Sequence, residues 1–387
     1  MHKPLTKRLK IFRILPFALG LALFAGAGHA QNTALPDRAG YDRSSAVIFA
    51  YQRIGEDLYP ANNLGTDQFR LHIQELSNGD YNIAALPDVI AALQSGAELP
   101  DKTVVLTFNG AYQSALKNAI PLLLDRNIPF TVFFSPDQAE GKNPEYMNWS
   151  ELKKLRRYNQ VTVGLHPSSY SHLAGSPVAE IRRQINNALT RYRQELKADP
   201  QFFAYPFGEY TKAFRDIVSE SGFKAAFGQQ SGVAYNGSDL FALPRFSMTE
   251  NYGDEERFRM AALALPLPVT DIAPDDPHIT DNNPPRIGFT LDDSLAAKMP
   301  QLSCFISGQG KPDMEVIGKN RVELRVTEPF QGVRVRLNCT MPGPAAKAGD
   351  EQRWRWFGLL MNLNHPGGMD EDEEEFDTEQ QAGPYPN

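Results

Sequence analysis

The chain has 387 residues, room for two ordinary domains, and at 42% hydrophobic and 22% charged it has the make-up of a globular protein. With 39 Lys and Arg against 46 Asp and Glu its formal charge is −7. An acidic chain of this kind is a poor partner for nucleic acid or for an anionic membrane.

Residues 1–30 read as a secretory signal peptide. Lys3, Lys7, Arg8, Lys10 and Arg13 form a basic start, Ile14 to Phe24 is apolar, and Gly28-His29-Ala30 offers small residues before a new terminus at Gln31. The apolar run falls short of the roughly 20 residues that a membrane span needs, so no stable span is expected after cleavage. Loss of the five cations takes the formal charge to −12. Export places the protein in the periplasm or outside the cell, where Cys304 and Cys339, the only cysteines, are expected to form a disulfide.

After an arm at 31–44, residues 45–265 alternate strand and helix. Apolar runs at 46–51, 103–108, 130–134, 161–165, 202–207, 224–228 and 241–248 read as strands. Helical spacing lies between them, as in "TDQFRLHIQEL" and in "SALKNAIPLLLDR", where Leu116, Ile120 and Leu123 share a face. About seven such repeats predict an α/β fold, a mainly parallel sheet curled into a distorted (β/α) barrel. No glycine-rich dinucleotide fingerprint follows any strand, which argues against an open nucleotide-binding sheet. Residues 266–285, rich in Pro and Asp, read as a linker, and 286–362 lose the helical period and read as a small all-β sandwich. Within it, Asp292 and Asp293 read as a turn. The acidic stretch 363–387 reads as a disordered tail.

In parallel α/β folds chemistry collects at the carboxyl ends of strands. Three ends stand out: "LTFNGAY", "VGLHPSSYSHLAG" with His166 and His172, and "FFAYPFGEYTKAF". In this order and spacing they resemble the NodB-type polysaccharide deacetylases of carbohydrate esterase family 4, whose "TFDDGY", "G-x-H-[ST]-x-x-H" and "RPPYG"-like motifs fall on 107–112, 164–172 and 204–208. The "YPFGEY" form resembles the branch that deacetylates poly-N-acetylglucosamine.

The resemblance implies hydrolysis of N-acetyl groups on an envelope or extracellular polysaccharide, assisted by one divalent metal, zinc or a similar ion. The metal lowers the pKa of bound water and polarises the acetamide, and a neighbouring Asp takes the water's proton. This chain departs from that plan. Asn109 stands where the base is, Gly110 where the metal-binding Asp is, and Ala204 where other branches have Arg. The histidines implied as ligands, His166 and His172, lie six apart rather than four or five. Aligned on the first, Tyr170 takes the second ligand position; aligned on the second, Ser168 takes the first. Glu209 is a candidate replacement acid or base, and Asp137 a further carboxylate. Tyr112, Tyr170, Tyr205, Pro206, Phe207 and Tyr210 surround the motifs and are candidate sugar-binding residues, since aromatic faces pack against sugar C–H groups. Two functions follow: a metal-dependent deacetylase, or a deacetylase-fold protein that binds polysaccharide without cutting it.

Overall fold

A computed structural model describes residues 39–344 and 351–363. The signal peptide expected at 1–30, most of the arm and the acidic tail from 364 lie outside the described residues.

Seven of the nine strands of the main sheet run in the order Ala234–Tyr235, Ser45–Tyr51, Thr103–Phe108, Phe130–Phe134, Val161–Leu165, Phe202–Ala204, Ala225–Phe227. All pairings are parallel except that of Ala234–Tyr235, which runs antiparallel to Ser45–Tyr51. The far edges meet through residues 243–247: Phe227 bridges Leu243, and Phe246–Ser247 pairs in parallel with Phe49–Ala50. The sheet is therefore curled into a distorted barrel, as the alternating sequence predicts.

The strands are apolar throughout because both faces are covered. Val47, Phe49, Tyr51, Leu106, Phe108, Val132 and Phe134 face outward into the core shared with the helices. Ala46, Ile48, Val105, Phe133, Phe202, Ala204, Ala225, Phe227 and Leu243 fill the inside, where alanines opposite phenylalanines suit the narrow bore. Helices include Thr66–Asn78, Leu86–Ser95, Val178–Leu196 and Lys212–Glu220. The single helix expected over "SALKNAIPLLLDR" is two, Gln113–Asn118 and Ile120–Asp125. Pro121 cannot donate the hydrogen bond that would join them, and it sits comfortably in the first turn of the second.

The second half is built of β-sheets. Val269–Ala273, Ile287–Leu291, Arg321–Arg325 and Asp313–Ile317 form one; Ser303–Ile306, Arg334–Pro342, Trp354–Leu363 and the short strands Leu265–Pro266 and His278–Ile279 form the other. Ile287, Phe289, Val322 and Leu324 of the first pack with Leu337, Met341, Leu359 and Met361 of the second, a sandwich core. Cys304 and Cys339 sit directly opposite on adjacent antiparallel strands and are bonded. The expected linker is not free chain: parts of 266–285 are strands of both sheets, because its Val, Ile and His alternate with the prolines and aspartates that dominate its composition. Asp292 caps a 3₁₀ helix at Asp293–Gln301 by accepting from the Ser294 N–H, which refines the turn expected there.

Several side chains of the sandwich reach the barrel, among them Arg336, Arg353, Arg355 and Asn362 through hydrogen bonds. Arg355 makes a paired contact to buried Asp42, 2.7 and 2.8 Å. Arg353 donates to the Leu263 carbonyl at 2.7 Å and to Asp101. Arg336 donates to the Gln229 carbonyl at 2.7 Å, and Asn362 to the Tyr210 carbonyl at 3.2 Å. The last two contacts fall at the carboxyl ends of barrel strands, so the sandwich forms one wall of that end.

Candidate functional site

Strand alternation decides what the mouth of the barrel contains. Val105 faces inward, and so do Thr107 and Asn109 beyond it; Phe133 is followed by Ser135, Gly164 by His166, Phe227 by Gln229, and Leu243 by Arg245 and Ser247. A polar layer thus lies on an apolar floor. Asn109, Ser135, His166 and Arg245 are fully buried within it.

The first motif turns sharply. Gly110 has φ +81° and Ala111 φ +50°, so two consecutive residues are left-handed. The turn aims the Gly110 N–H at His166 Nε2, 3.4 Å away. His166 Nδ1 donates to the Ala204 carbonyl at 2.7 Å. These partners require a neutral ring with its proton on Nδ1, and burial pushes its pKa down to about 3. Asn109 Oδ1 accepts from Arg245 Nη1 at 2.9 Å; the same nitrogen donates to Thr107 Oγ1 at 3.2 Å, and Arg245 Nε donates to the Gly228 carbonyl at 2.8 Å. Burial lowers the guanidinium pKa to about 9. Arg245 is the residue the sequence reading missed. Its signal was a lone cation inside the apolar run "FALPRFSM".

His172 belongs to a different set. Its Nδ1 donates to Glu209 Oε2 at 2.8 Å, and its ring stacks on Phe207 at 4.0 Å with 10° between planes. Arg334, from the sandwich, stands 3.8 Å from the other oxygen of Glu209. Phe207 is held at φ +55°, a conformation non-glycine residues rarely adopt and one that collects at functional sites. Tyr170 stands between the two sets. Its ring meets His166 edge-on at 4.9 Å and Phe207 at 4.8 Å, and its hydroxyl accepts from the Phe207 N–H at 3.4 Å.

The metal expected here does not fit these side chains. Asn109 turns its oxygen to a guanidinium, Gly110 offers no donor, and the residue beside His166 is Tyr170, as in the alignment on the first histidine. The Nε2 lone pair of His166 is met by the Gly110 N–H. His172 is turned to Glu209, so the two histidines implied as a shared pair are split. Asp137, the further carboxylate, is engaged by Ser168 Oγ at 3.1 Å and paired with Arg191. Among the described residues no group of three or more His, Cys, Asp or Glu is placed to hold a metal ion.

The candidate sugar-binding aromatics divide. Tyr170 and Phe207 are half-buried at the mouth. Tyr112 is buried under the Arg53 guanidinium, 4.1 Å from its ring, and packs on Tyr146. Tyr205 faces outward and donates to the Phe241 carbonyl; Tyr210 packs on it at 5.0 Å, and Pro206 is buried. The geometry brings Asn109, His166, Tyr170, Phe207, His172 and Glu209 to one end of the barrel and leaves Tyr112, Tyr205 and Tyr210 in packing roles.

Residues 96–226 match the polysaccharide deacetylase family model. The chain is similar to the poly-beta-1,6-N-acetyl-D-glucosamine N-deacetylase of Escherichia coli K12, 23% identical over 228 residues, which cover 48% of this chain and 34% of that protein. The chain thus spans only about a third of that relative's length. Two solved structures share the fold. The Streptococcus pyogenes deacetylase PplD in complex with acetate aligns over 56% of this chain and 98% of its own at 18% identity and a TM-score of 0.52. IcaB from Ammonifex degensii aligns over 57% and 97% at 19% identity and a TM-score of 0.51.

Proposed function

We propose, from a chain that carries a polysaccharide deacetylase domain over residues 96–226, that this protein binds an N-acetylated polysaccharide, of the poly-N-acetylglucosamine kind, without the family's metal-assisted hydrolysis. One observation carries the reading. The positions that supply the base and a metal ligand in the family hold Asn109 and Gly110, and Arg245 donates to Asn109 at 2.9 Å. A carboxamide cannot take a proton from water, and a fixed guanidinium repels a cation brought beside it. Tyr170 and Phe207 at the mouth offer faces for sugar rings. The amino-terminal pattern at 1–30 and the Cys304–Cys339 bond support a periplasmic or secreted location. Among the described residues no helix is long and apolar enough to cross a membrane.

A second reading, deacetylation, is favoured by one contact. Glu209 fixes the His172 proton on Nδ1 and leaves Nε2 able to accept, and the ring is 30% exposed, so this pair has the arrangement of a general base and its orienting carboxylate. Two measurements on the protein from Gln31 separate the readings. One is co-sedimentation with insoluble N-acetylated β-linked glucosamine polymer; the other is acetate release from soluble oligomers with and without zinc. Retention that falls on Tyr170→Ala and Phe207→Ala, with no acetate released, is the expected result. Acetate release that disappears on His172→Ala transfers the case to the second reading. Zinc-dependent release would refute the first.

A further inference from the structure

A cavity of about 380 Å³ lies on the seam between the barrel and the sandwich. That is within the range of small-ligand pockets, about 300–1,000 Å³. The barrel supplies Tyr210, Gln230 and Tyr235 to its wall, and the sandwich supplies Val269, Trp356 and Leu359. Exposed Asp239, Ile272 and Asp275 line it too, so it opens to solvent. Among the described residues it shares no lining with the mouth: Asn109, His166, Tyr170, Phe207, His172 and Glu209 all lie elsewhere. All but three of its lining residues lie beyond the matched stretch 96–226, so the cavity is a product of the joint rather than of the deacetylase domain alone.

Gln230 sets what the cavity asks of a ligand. The residue is 7% exposed. Its Nε2 donates to the Ala242 carbonyl at 2.7 Å, which fixes the orientation of the amide, and its Oε1 has no hydrogen-bond partner. A buried acceptor is costly to leave unmet, so it calls for an N–H or O–H. The aromatic walls are held in place. Half-buried Trp356 donates from Nε1 to Asn338 Oδ1 at 3.0 Å and meets Phe246 edge-on at 5.2 Å. Half-buried Tyr235 is packed so closely by Gly237 that a β-carbon there would stand 2.5 Å from its ring. The rim charges are balanced: Lys212 pairs with Asp275 at 2.5 Å and Arg215 with Asp239 at 3.1 Å. Such a rim favours a neutral ligand over an ion.

We propose that this seam cavity is a second glycan site, which takes one N-acetylhexosamine residue outside the barrel mouth. The acetamido N–H donates to Gln230 Oε1, and the methyl and the C–H face of the ring lie against Trp356 and Tyr235. The proposal rests on the reading of an N-acetylated polysaccharide as the ligand, and adds a place where a further residue of the same polymer is held. Two sites on one chain strengthen retention by a polymer through effective concentration, without either being strong.

The test titrates the protein from Gln31 with the soluble β-linked N-acetylglucosamine trimer by calorimetry, beside co-sedimentation with the insoluble polymer. Tyr170→Ala with Phe207→Ala disables the mouth. Gln230→Leu removes the acceptor of the seam, and Ala242→Phe fills the cavity from a half-buried lining position; a thermal melt checks that each variant is folded. The mouth variant is expected still to bind the trimer. In that background Gln230→Leu weakens binding roughly fivefold, the worth of one hydrogen bond, and Ala242→Phe ends it. With the mouth intact, either seam variant lowers polymer retention without ending it. Binding lost in the mouth variant overturns the seam site and leaves the mouth reading standing. Binding unchanged in the mouth variant and ended by Ala242→Phe keeps the seam and sinks the mouth. No binding by the unaltered protein overturns both. Binding indifferent to Gln230→Leu and Ala242→Phe, or equal binding of the same trimer without its acetyl groups, overturns the proposal.

Discussion

Acidification from pH 7 to pH 5 acts on two buried histidines that the fold holds neutral. His72 Nε2 donates to the Gly253 carbonyl at 2.8 Å, its Nδ1 accepts from the Tyr51 hydroxyl at 3.1 Å, and its ring stacks on Phe258 at 3.9 Å. Burial lowers its pKa from 6.5 to about 4, and that of His166 to about 3. Both folded values lie below the unfolded one, so between them the unfolded chain takes up protons that the folded chain refuses. The stability is fully present above about pH 6.5 and drains away as pH falls toward the folded values. At pH 5 each site has lost about 2 kcal/mol, and the pair about 4 kcal/mol. The clearly lowered carboxylates, such as Glu145, Glu180 and Asp275, titrate below this window and do not blur it. Urea unfolding at pH 7 and pH 5 reads the difference, and His72→Gln is expected to halve it. Equal unfolding midpoints at the two pH values would refute the reasoning, because one of these rings would then have to accept a proton inside the fold.

Removing one partner of the buried Asp42–Arg355 pair, whose side chains are 2% and 4% exposed, is expected to cost about 3–5 kcal/mol, and Asp42→Ala with Arg355→Leu much less. Thermal melts of the single and double variants check this. Gly208→Ala and Gly110→Ala both force a β-carbon into left-handed backbone, φ +78° and +81°, at about 1–2 kcal/mol. The β-carbon at 208 meets the Gln229 backbone nitrogen at 2.5 Å, whereas at 110 it meets side-chain rather than backbone atoms, those of the Tyr112 ring, at 2.5 Å. Gly208→Ala is therefore expected to be the worse of the two, and equal urea midpoints would contradict that. Replacing Cys304 and Cys339 by Ala opens a loop of sequence separation 35, with an expected loss of about 2–4 kcal/mol in a thermal melt.

The barrel was legible in the sequence because its strands are apolar on both faces and its helices have turn residues between them; "TVVLTF" and "FTVFF" stand as strands at the positions read. The joint at Pro121 was missed because Leu116, Ile120 and Leu123 keep one face across it, and periodicity does not register a missing N–H. The strands within 266–285 were hidden by composition: Pro and Asp dominate, and the short pairings with Trp354–Leu363 are set by a partner far along the chain. At the site, the motif loops could be placed by position alone. What the sequence could not show is that Arg245 crosses the bore to Asn109, since the two are 136 residues apart and meet only because residues 243–247 close the barrel.

The Asp42–Arg355 contact also sets an order of events. The two residues are 313 apart in the chain, and a polypeptide is made from its amino end. Most barrel strands find partners among segments made shortly before or after them, the kind of local wiring that forms quickly. Asp42 is different from its neighbour Arg43, which pairs with Glu98: the paired contact of Asp42 with Arg355 cannot form until nearly the whole described chain has emerged. A chain interrupted before Trp354 has every parallel strand from Ser45 to Phe227, yet it lacks the Arg355 contact of Asp42 and strips Leu265–Pro266 and His278–Ile279 of the strand they pair with. The first described helix is thus tied to the barrel early through Arg43 and is locked to the last described strand only when Arg355 arrives.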